Sequence, residues 1–374
     1  MQFIDLHRQY ELIQSDIESG LKKVLSHKNF IMGPEVRQME EALARYTGAK
    51  HAISCSNGTD ALLMPLMAYD IKKDDAVFVP SFSYFASAEC VSLAGGTPVF
   101  VDSDYDTFNI SEQSLRAAIE KTLSDGKLRP RGIIPVDLFG LPYDYDAIKA
   151  VAHEYGLFIL EDAAQGFGGV YKGKKAGRLG DVCSTSFFPA KPLGCYGDGG
   201  AILCEDDEMA QIMDSIRQHG KGKDRYDNVR IGLNARMDTM QAVVILAKLK
   251  IFDKELEQRQ HVAERYTRNL KDVLVTPIVQ SHDYKSCWAQ YTVRCTGESQ
   301  REALIAACSA KNIPIMVYYP TPIHLSTAYR PLGYEAGSLP VCEEMCKQVF
   351  SLPMHPYLTD PEIDEICETV REVK

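Results

Sequence analysis

Between residues 50 and 204 short apolar runs alternate with amphipathic stretches, the pattern of strand and helix units that build a mostly parallel sheet. Residues 76–80, 98–102, 132–136 and 157–161 read as strands, 146–155 as the helix before the fourth, and 182–188 as one further apolar stretch. Two segments, 10–25 and 34–46, precede this run as helices. After Asn234-Ala235-Arg236-Met237 a long helical pattern runs from Asp238 through Leu249 toward Leu270. A smaller set follows, with 288–293 a strand, 300–310 a helix and 314–317 a strand. The expected fold class is α/β, with a large unit over residues 1–250 that carries the N-terminal helices and the central sheet, and a small C-terminal α/β unit over 251–374.

Composition narrows the partners. A chain of 374 residues, 45% apolar and 25% charged, is long enough to bury two hydrophobic cores. A formal charge of −10 argues against nucleic acid or an anionic membrane as the main partner and leaves a small ligand, with room for a local basic pocket. The N-terminus lacks a basic segment followed by an apolar one, and no apolar run reaches membrane-spanning length, so the chain reads as cytoplasmic. Eleven cysteines without a C-x-x-C pair indicate neither a disulfide framework nor a metal site; Cys342 and Cys346 share a helix face and read as buried thiols.

Ligands of open parallel sheets sit outside the carboxyl ends of the strands, where Ser81, Asp137 and Asp162 fall, and Ser186 and Lys191 reach the same rim. Asp162 ends a nearly all-apolar strand; buried without a partner it would be costly, so it faces either a structural cation or a ligand's charged nitrogen. Lys191 sits among Phe187, Phe188, Pro189, Pro192 and Leu193 with no other charge, ahead of the glycine-rich stretch Gly194-Cys195-Tyr196-Gly197-Asp198-Gly199-Gly200. It is either a solvated surface lysine or a desolvated amine able to form a Schiff base. An acid at a strand end followed by a lone lysine in an aromatic and glycine frame is what holding pyridoxal phosphate requires, the acid keeping the pyridine nitrogen protonated.

Other segments admit two readings each. Ser56-Asn57-Gly58-Thr59-Asp60 joins a strand to a helix, as a phosphate cradle or a plain helix cap. Tyr84, just past a strand, is a stacking ring or core. The basic stretch from His219 to Arg225 is a loop that meets a phosphorylated substrate or merely a solvated one. Tyr318, Tyr319 and His324 form the wall of a flat site or ordinary packing, and His7, His27, His153 and His355 have no visible partner pattern.

Taken together, Gly58-Thr59-Asp60-Ala61-Leu62, Pro80-Ser81-Phe82-Ser83-Tyr84, Glu161-Asp162-Ala163-Ala164-Gln165, Ser186 to Lys191, Gly197-Asp198-Gly199-Gly200 and Gly232 to Met237 resemble the DegT-type family of pyridoxal phosphate-dependent nucleotide-sugar aminotransferases, nearly end to end. The resemblance implies the type I aminotransferase fold, pyridoxal 5'-phosphate as cofactor, Lys191 as the Schiff-base lysine and Asp162 as partner of the pyridine nitrogen. It implies Gln165 on the ring-hydroxyl side, Tyr84 as the stacking aromatic, and Gly58, Thr59 and Ser186 as phosphate ligands. Asn234 matches a phosphate ligand supplied by the neighbouring subunit, which implies a homodimer with shared active sites.

Residues 186–201 and Ser351-Leu352-Pro353-Met354-His355-Pro356 look most like the enzymes that aminate the 3-keto carbon of UDP-N-acetyl sugars, above all UDP-2-acetamido-2-deoxy-3-oxo-glucuronate on the route to O-antigen sugars. Arg230 and Arg236 are then candidates for a sugar carboxylate, and His219, Tyr318, Tyr319 and His324 for the nucleotide side. L-Glutamate is the implied amino donor, with two half-reactions in which Lys191 moves the proton. A 4-keto acceptor stays open; a sugar dehydratase of the same fold carries histidine at the place of Lys191, and a non-catalytic regulatory relative need not keep the whole set.

Overall fold

The computed structural model describes residues 1–224, 226–278 and 282–373; Arg225, at the end of the basic loop, lies outside the described residues. Seven strands form the central sheet: β1 (His51–Cys55), β2 (Asp75–Pro80), β3 (Thr97–Val101), β4 (Arg129–Ile133), β5 (Phe158–Asp162), β6 (Val182–Ser186) and β7 (Gly200–Cys204). Their order is β1-β7-β6-β5-β4-β2-β3. Pairs from β3 to β6 are parallel, and β7 runs antiparallel to both β6 and β1, so the other six strands share one direction.

Alternation along the strands sends side chains to two helical layers. Val77, Val79, Leu160 and Ile202 pack under α3 (Gly58–Ala68), α4 (Ala86–Leu93) and α7 (Asp207–Ile216). On the opposite face Cys183, Ala201 and Leu203 meet α1 (Leu6–His27), α2 (Pro34–Thr47) and α8 (Thr239–Leu249), while Ala76, Phe78, Ile133 and Ile159 meet α5 (Glu112–Asp125) and α6 (Tyr145–Tyr155). The N-terminal segments expected as helices thus cover the sheet face behind the lysine loop.

Three expectations shift. β4 spans 129–133, where a strand over 132–136 was expected: Pro135 offers no N–H to a ladder, and its carbonyl instead accepts the Asp162 N–H at 2.9 Å. At Gly132 a Cβ would collide with the Phe158 ring of β5, which stacks on Tyr69 with centroids 4.0 Å apart. The long helical pattern breaks at Lys250–Ile251 into α8 and α9 (Phe252–Leu270) through a turn closed by Ile251 N–H to Lys248 C=O at 3.0 Å. Residues 314–317 form no strand and make only an isolated bridge, Met316 with Ser351.

Around α9, α10 (Glu298–Ala310) and α12 (Asp360–Glu372), the antiparallel pair β8 (Tyr291–Arg294) and β9 (Val349–Leu352) shares a separate core that includes Val262, Tyr266, Tyr291, Phe350 and Ile366. The boundary expected at 250/251 falls in the α8–α9 turn. It does not partition the packing, however, because Ile323, Tyr329 and Leu339, with Cys342, Met345 and Cys346 of α11 (Pro340–Gln348), join the core of the large sheet. Among the described residues no helix is long and apolar enough to cross a membrane.

The chain start is tied to this C-terminal unit. Arg8 donates to Tyr357 C=O at 2.6 Å and to Glu362 at 2.9 Å, and Gln9 donates to the buried Glu255 at 2.9 Å, with Tyr357 bonded to the same carboxylate. His355 is buried here and accepts the Tyr357 N–H on Nδ1 at 3.3 Å. Burial, reinforced by Arg259 and Arg8 and opposed by Asp5 and Glu362, pushes its pKa down to about 4. The folded protein therefore binds fewer protons than the unfolded chain between pH 4 and 6.5, and stability falls as pH drops through that window, by on the order of 3 kcal/mol in full. Glu362, held low by Arg8, loses its contribution only below the ordinary glutamate pKa, so the two effects separate. Urea midpoints measured from pH 7 to 4 are expected to decline in the wild type and to decline less steeply in His355→Gln, where the buried His324, also lowered by desolvation, still contributes.

Candidate active site

The carboxyl ends of β5 and β6, the start of α3 and the loop before α4 enclose one side of a cleft of about 730 Å³, and residues 318–323 enclose the other. Asp162 closes β5 and is buried. One carboxylate oxygen accepts from Ser87 Oγ of α4 at 2.7 Å and the other from the Ala164 N–H at 3.1 Å. Burial raises its pKa, while those hydrogen bonds and the Lys191 charge oppose the rise. The acid is therefore prepared for a cation that arrives from the cleft.

Lys191 rises from a loop whose shape rests on a buried anchor. The Phe187 ring is fully buried, its N–H donates to Gly199 C=O at 2.8 Å and its C=O accepts from Cys195 at 2.7 Å. At Gly194 a Cβ would stand 2.6 Å from the carbonyl oxygens of Phe188 and Pro189, so only glycine lets this loop fold back on itself. Burial lowers the Lys191 pKa, with Asp162 the main opposing charge. A desolvated amine is a better nucleophile near neutral pH than a surface lysine.

A cradle of unpartnered backbone donors lies at the head of α3. Asn57 caps the helix by accepting from the Asp60 N–H at 2.8 Å, and the first-turn N–H groups of such a helix have no internal partner. Gly58 approaches β6 so closely that a Cβ would lie 2.6 Å from Ser186 Cβ, which places Gly58, Thr59 and Ser186 around one opening of the cleft. Tyr84, more than half exposed, and Tyr319 line the cleft with ring centroids 6.5 Å apart. Gln165 is buried beside Asp162; its Oε1 accepts from the Phe139 N–H at 2.7 Å and its Nε2 donates to the Tyr319 hydroxyl at 2.9 Å. An acid for a ring nitrogen, an amine for an aldehyde and a helix head for a phosphate fit pyridoxal phosphate.

The structure brings Gly58, Thr59, Tyr84, Asp162, Gln165, Ser186, Lys191, Tyr318 and Tyr319 into this one cleft. It keeps four others outside the lining: His219, Arg230 and Asn234 are exposed, and Arg236 donates to Asn234 Oδ1 at 2.7 Å. His324 is corrected. Its ring has no exposed surface and is held by Ser81 Oγ at 2.7 Å and Glu343 at 3.2 Å, so it braces the fold and cannot face a nucleotide. Sequence reasoning missed Ser87, Gln290 and the cleft-lining role of Asp198. Asp198 stood inside a quoted motif, whereas a helical serine and a glutamine next to a strand carry no local signal.

Fold and site together fit an enzyme that takes up a phosphate-bearing carbonyl cofactor. The chain belongs to the DegT/DnrJ/EryC1/StrS aminotransferase family, whose model matches residues 11–371. It is 46% identical over 368 residues to the UDP-2-acetamido-2-deoxy-3-oxo-D-glucuronate aminotransferase of Pseudomonas aeruginosa, covering 98% of each chain. It is 40% identical to a pleiotropic regulatory protein of Geobacillus stearothermophilus, covering 99% of this chain and 97% of that one. The crystal structure of a DegT/DnrJ/EryC1/StrS aminotransferase from Brucella abortus superposes with a TM-score of 0.96 at 48% identity, covering 100% of this chain and 99% of that chain.

The lowered basicity of Lys191 has a direct readout. Capture of added pyridoxal phosphate by the cofactor-free protein, trapped with borohydride and mapped by mass spectrometry, is expected to rise about tenfold per pH unit and to level off below the ordinary lysine pKa. Levelling at or above that value would refute desolvation of the amine.

Proposed function

We propose that this aminotransferase moves an amino group, with pyridoxal 5'-phosphate as cofactor, from L-glutamate to the 3-keto carbon of a UDP-linked N-acetyl hexosamine or its uronate. The observation that carries the reading is the pairing, in one cleft, of the buried acid Asp162 with the desolvated amine of Lys191. When bound, the cofactor supplies the electron sink for the charge left as a proton leaves the carbon bearing the transferred nitrogen.

The chain's own groups do the rest. Asp162, supported by Ser87, faces the pyridine nitrogen and holds its proton there. Gly58, Thr59 and Ser186 would hold the phosphate, Tyr84 would supply the stacking ring, and Gln165, with one Nε2 hydrogen on Tyr319, would have the other for the ring-hydroxyl side. Lys191 Nζ would hold the cofactor between turnovers and, once freed, would take up and return the proton at the substrate carbon. Tyr318 and Tyr319 wall the substrate side.

The acceptor reading rests on the Pseudomonas relative and its printed substrate. A homodimer with shared sites accounts for Asn234, a phosphate ligand that is exposed and outside its own protomer's cleft. Val229 and Ile231, both exposed, flank Arg230 on the same segment, as a surface that meets a second copy does. Arg230 and Arg236 then read a sugar carboxylate, and His219 the nucleotide, in the neighbouring site. We place the enzyme in the cytoplasm, on a route to O-antigen sugars.

Purified enzyme is expected to show a visible absorption band that borohydride abolishes, and Lys191→Ala to lose both the band and at least about a thousandfold in transamination. Normal turnover by that variant would overturn the reading. After conversion to the amine form of the cofactor, a 3-keto UDP-sugar is expected to restore the band and a 4-keto sugar to fail. Arg236→Ala and Arg230→Ala are expected to lower activity on a 3-keto uronate about tenfold or more while sparing the uncharged hexose analogue; equal losses on both would exclude the carboxylate role.

A further inference from the structure

The polar chain behind Gln165 has a direction. A backbone N–H can only donate, so the Phe139 N–H at 2.7 Å makes the nearer Gln165 atom the oxygen and turns the amide nitrogen toward the Tyr319 hydroxyl, 2.9 Å away. That nitrogen carries hydrogens and no acceptor, so the Tyr319 oxygen must receive the bond. The phenol's own hydrogen is left over. Around it stand the rings of Phe82, Tyr84 and Tyr318 and, within electrostatic reach, the Asp162 carboxylate, which already accepts from Ser87 and Ala164; Tyr319 lines the cleft.

The turn that carries the Phe139 N–H is closed by backbone bonds, Gly140 N–H to Asp137 C=O at 3.2 Å and Leu141 N–H to Leu138 C=O at 3.1 Å, and is bridged by one side chain. Leu138-Phe139-Gly140 form a tight turn in which Phe139 adopts φ +58 and Gly140 φ +103, left-handed conformations that a free chain seldom visits at a phenylalanine. Asn109, buried at the far side of the turn, accepts from the Leu138 N–H at 3.0 Å and donates to Leu141 C=O at 2.9 Å. One side chain thus bridges the turn at both ends, and its own orientation is determined because one backbone partner donates and the other accepts.

We propose that Asn109 is a positioning residue of the active site: through the 138–141 turn and Gln165 it aims the Tyr319 hydroxyl hydrogen at an oxygen in the cleft. The inference rests on the functional reading above and names the residues that orient its site. Burial also raises the Tyr319 pKa, so the hydroxyl keeps its hydrogen at working pH. The oxygen it meets belongs to the cofactor ring or to the keto group of the acceptor; both are acceptors of one strong hydrogen bond.

The test is a cycle of Asn109→Ala, Tyr319→Phe and the double variant, read by the pH titration of the visible band and by the two half-reactions. If the acceptor is the ring oxygen, either single variant removes or misaims a donor, leaves that oxygen more basic and raises the titration midpoint by about one pH unit. If it is the keto oxygen, the band stays put, while the keto-sugar half-reaction slows about ten- to hundredfold and the amino-donor half-reaction changes less than about threefold.

In both cases Asn109→Ala is expected to add less than about twofold once Tyr319 is phenylalanine. A full additional effect in the double variant means general destabilisation and overturns the proposal, as does Tyr319→Phe with band and rates unchanged. Should Asn109→Ala not fold, Asn109→Asp, which keeps the acceptor for Leu138 and loses the donor to Leu141, is read in the same cycle. A wild type with no borohydride-sensitive band refutes the functional reading instead. The positioning is then decided in the cofactor-free protein, where hydrogen exchange at Phe139 must speed up in the Asn109 variant and an unchanged rate refutes it.

Discussion

Holding a carboxylate and an amine out of water at one rim of a sheet is the constraint on which the rest of the structure depends. Desolvation moves Asp162 and Lys191 each toward its neutral form, the opposite of what an ion pair in water would do. Ser87 and the Ala164 N–H supply the hydrogen bonds that keep the acid ready to ionise, and the lysine loop is pinned through Phe187 into the core behind the sheet. Apolar packing thus places the polar atoms of the site.

A second buried acid lies one residue back. Glu161 points away from the cleft, fully buried, and accepts from the N–H groups of Gly177, Leu179 and Gly180 at 2.7, 2.6 and 3.1 Å. Those three donors favour its charge, so in the coupled pair it forms with Asp137 the proton stays on Asp137, whose pKa is raised well above its ordinary value by burial and by Glu161. Asp137 in turn bonds to the Tyr143 N–H and pairs its backbone N–H with Asp162 C=O, both at the start of the turn that presents Phe139 to Gln165. The end of β5 therefore carries a cleft-lining and a structural acid back to back on opposite faces of one strand.

Much of this was legible before any coordinates. Alternating apolar runs marked the sheet, and Asp162, Lys191, Gly58, Thr59, Tyr84, Gln165 and Ser186 stood in motifs that one cleft collects. Legibility ended where contacts are made across the sequence. His324 looked like a site residue because it follows Tyr318-Tyr319-Pro320, yet its ring faces Ser81 and Glu343. The strand ending at Ile133 was read three residues late because Pro135 is apolar and also donor-free, and an apolar pattern registers only the first property.

The sequence alone determined the elements whose periodicity is local and the chemistry whose residue types are rare in combination: an acid ending an apolar strand and a lysine in an uncharged glycine-rich frame. Tertiary structure alone decided how polar side chains divide between site and scaffold. Ser87 reaches Asp162, Asn109 bridges the turn at Phe139, and residues 323–349 pack with the large sheet across the expected domain boundary. The reason is physical: a hydrogen bond between residues 26 to 154 positions apart, such as those linking Phe139, Gln165 and Tyr319, depends on the direction of a few atoms in space, and no local pattern of hydrophobic and polar positions encodes that direction.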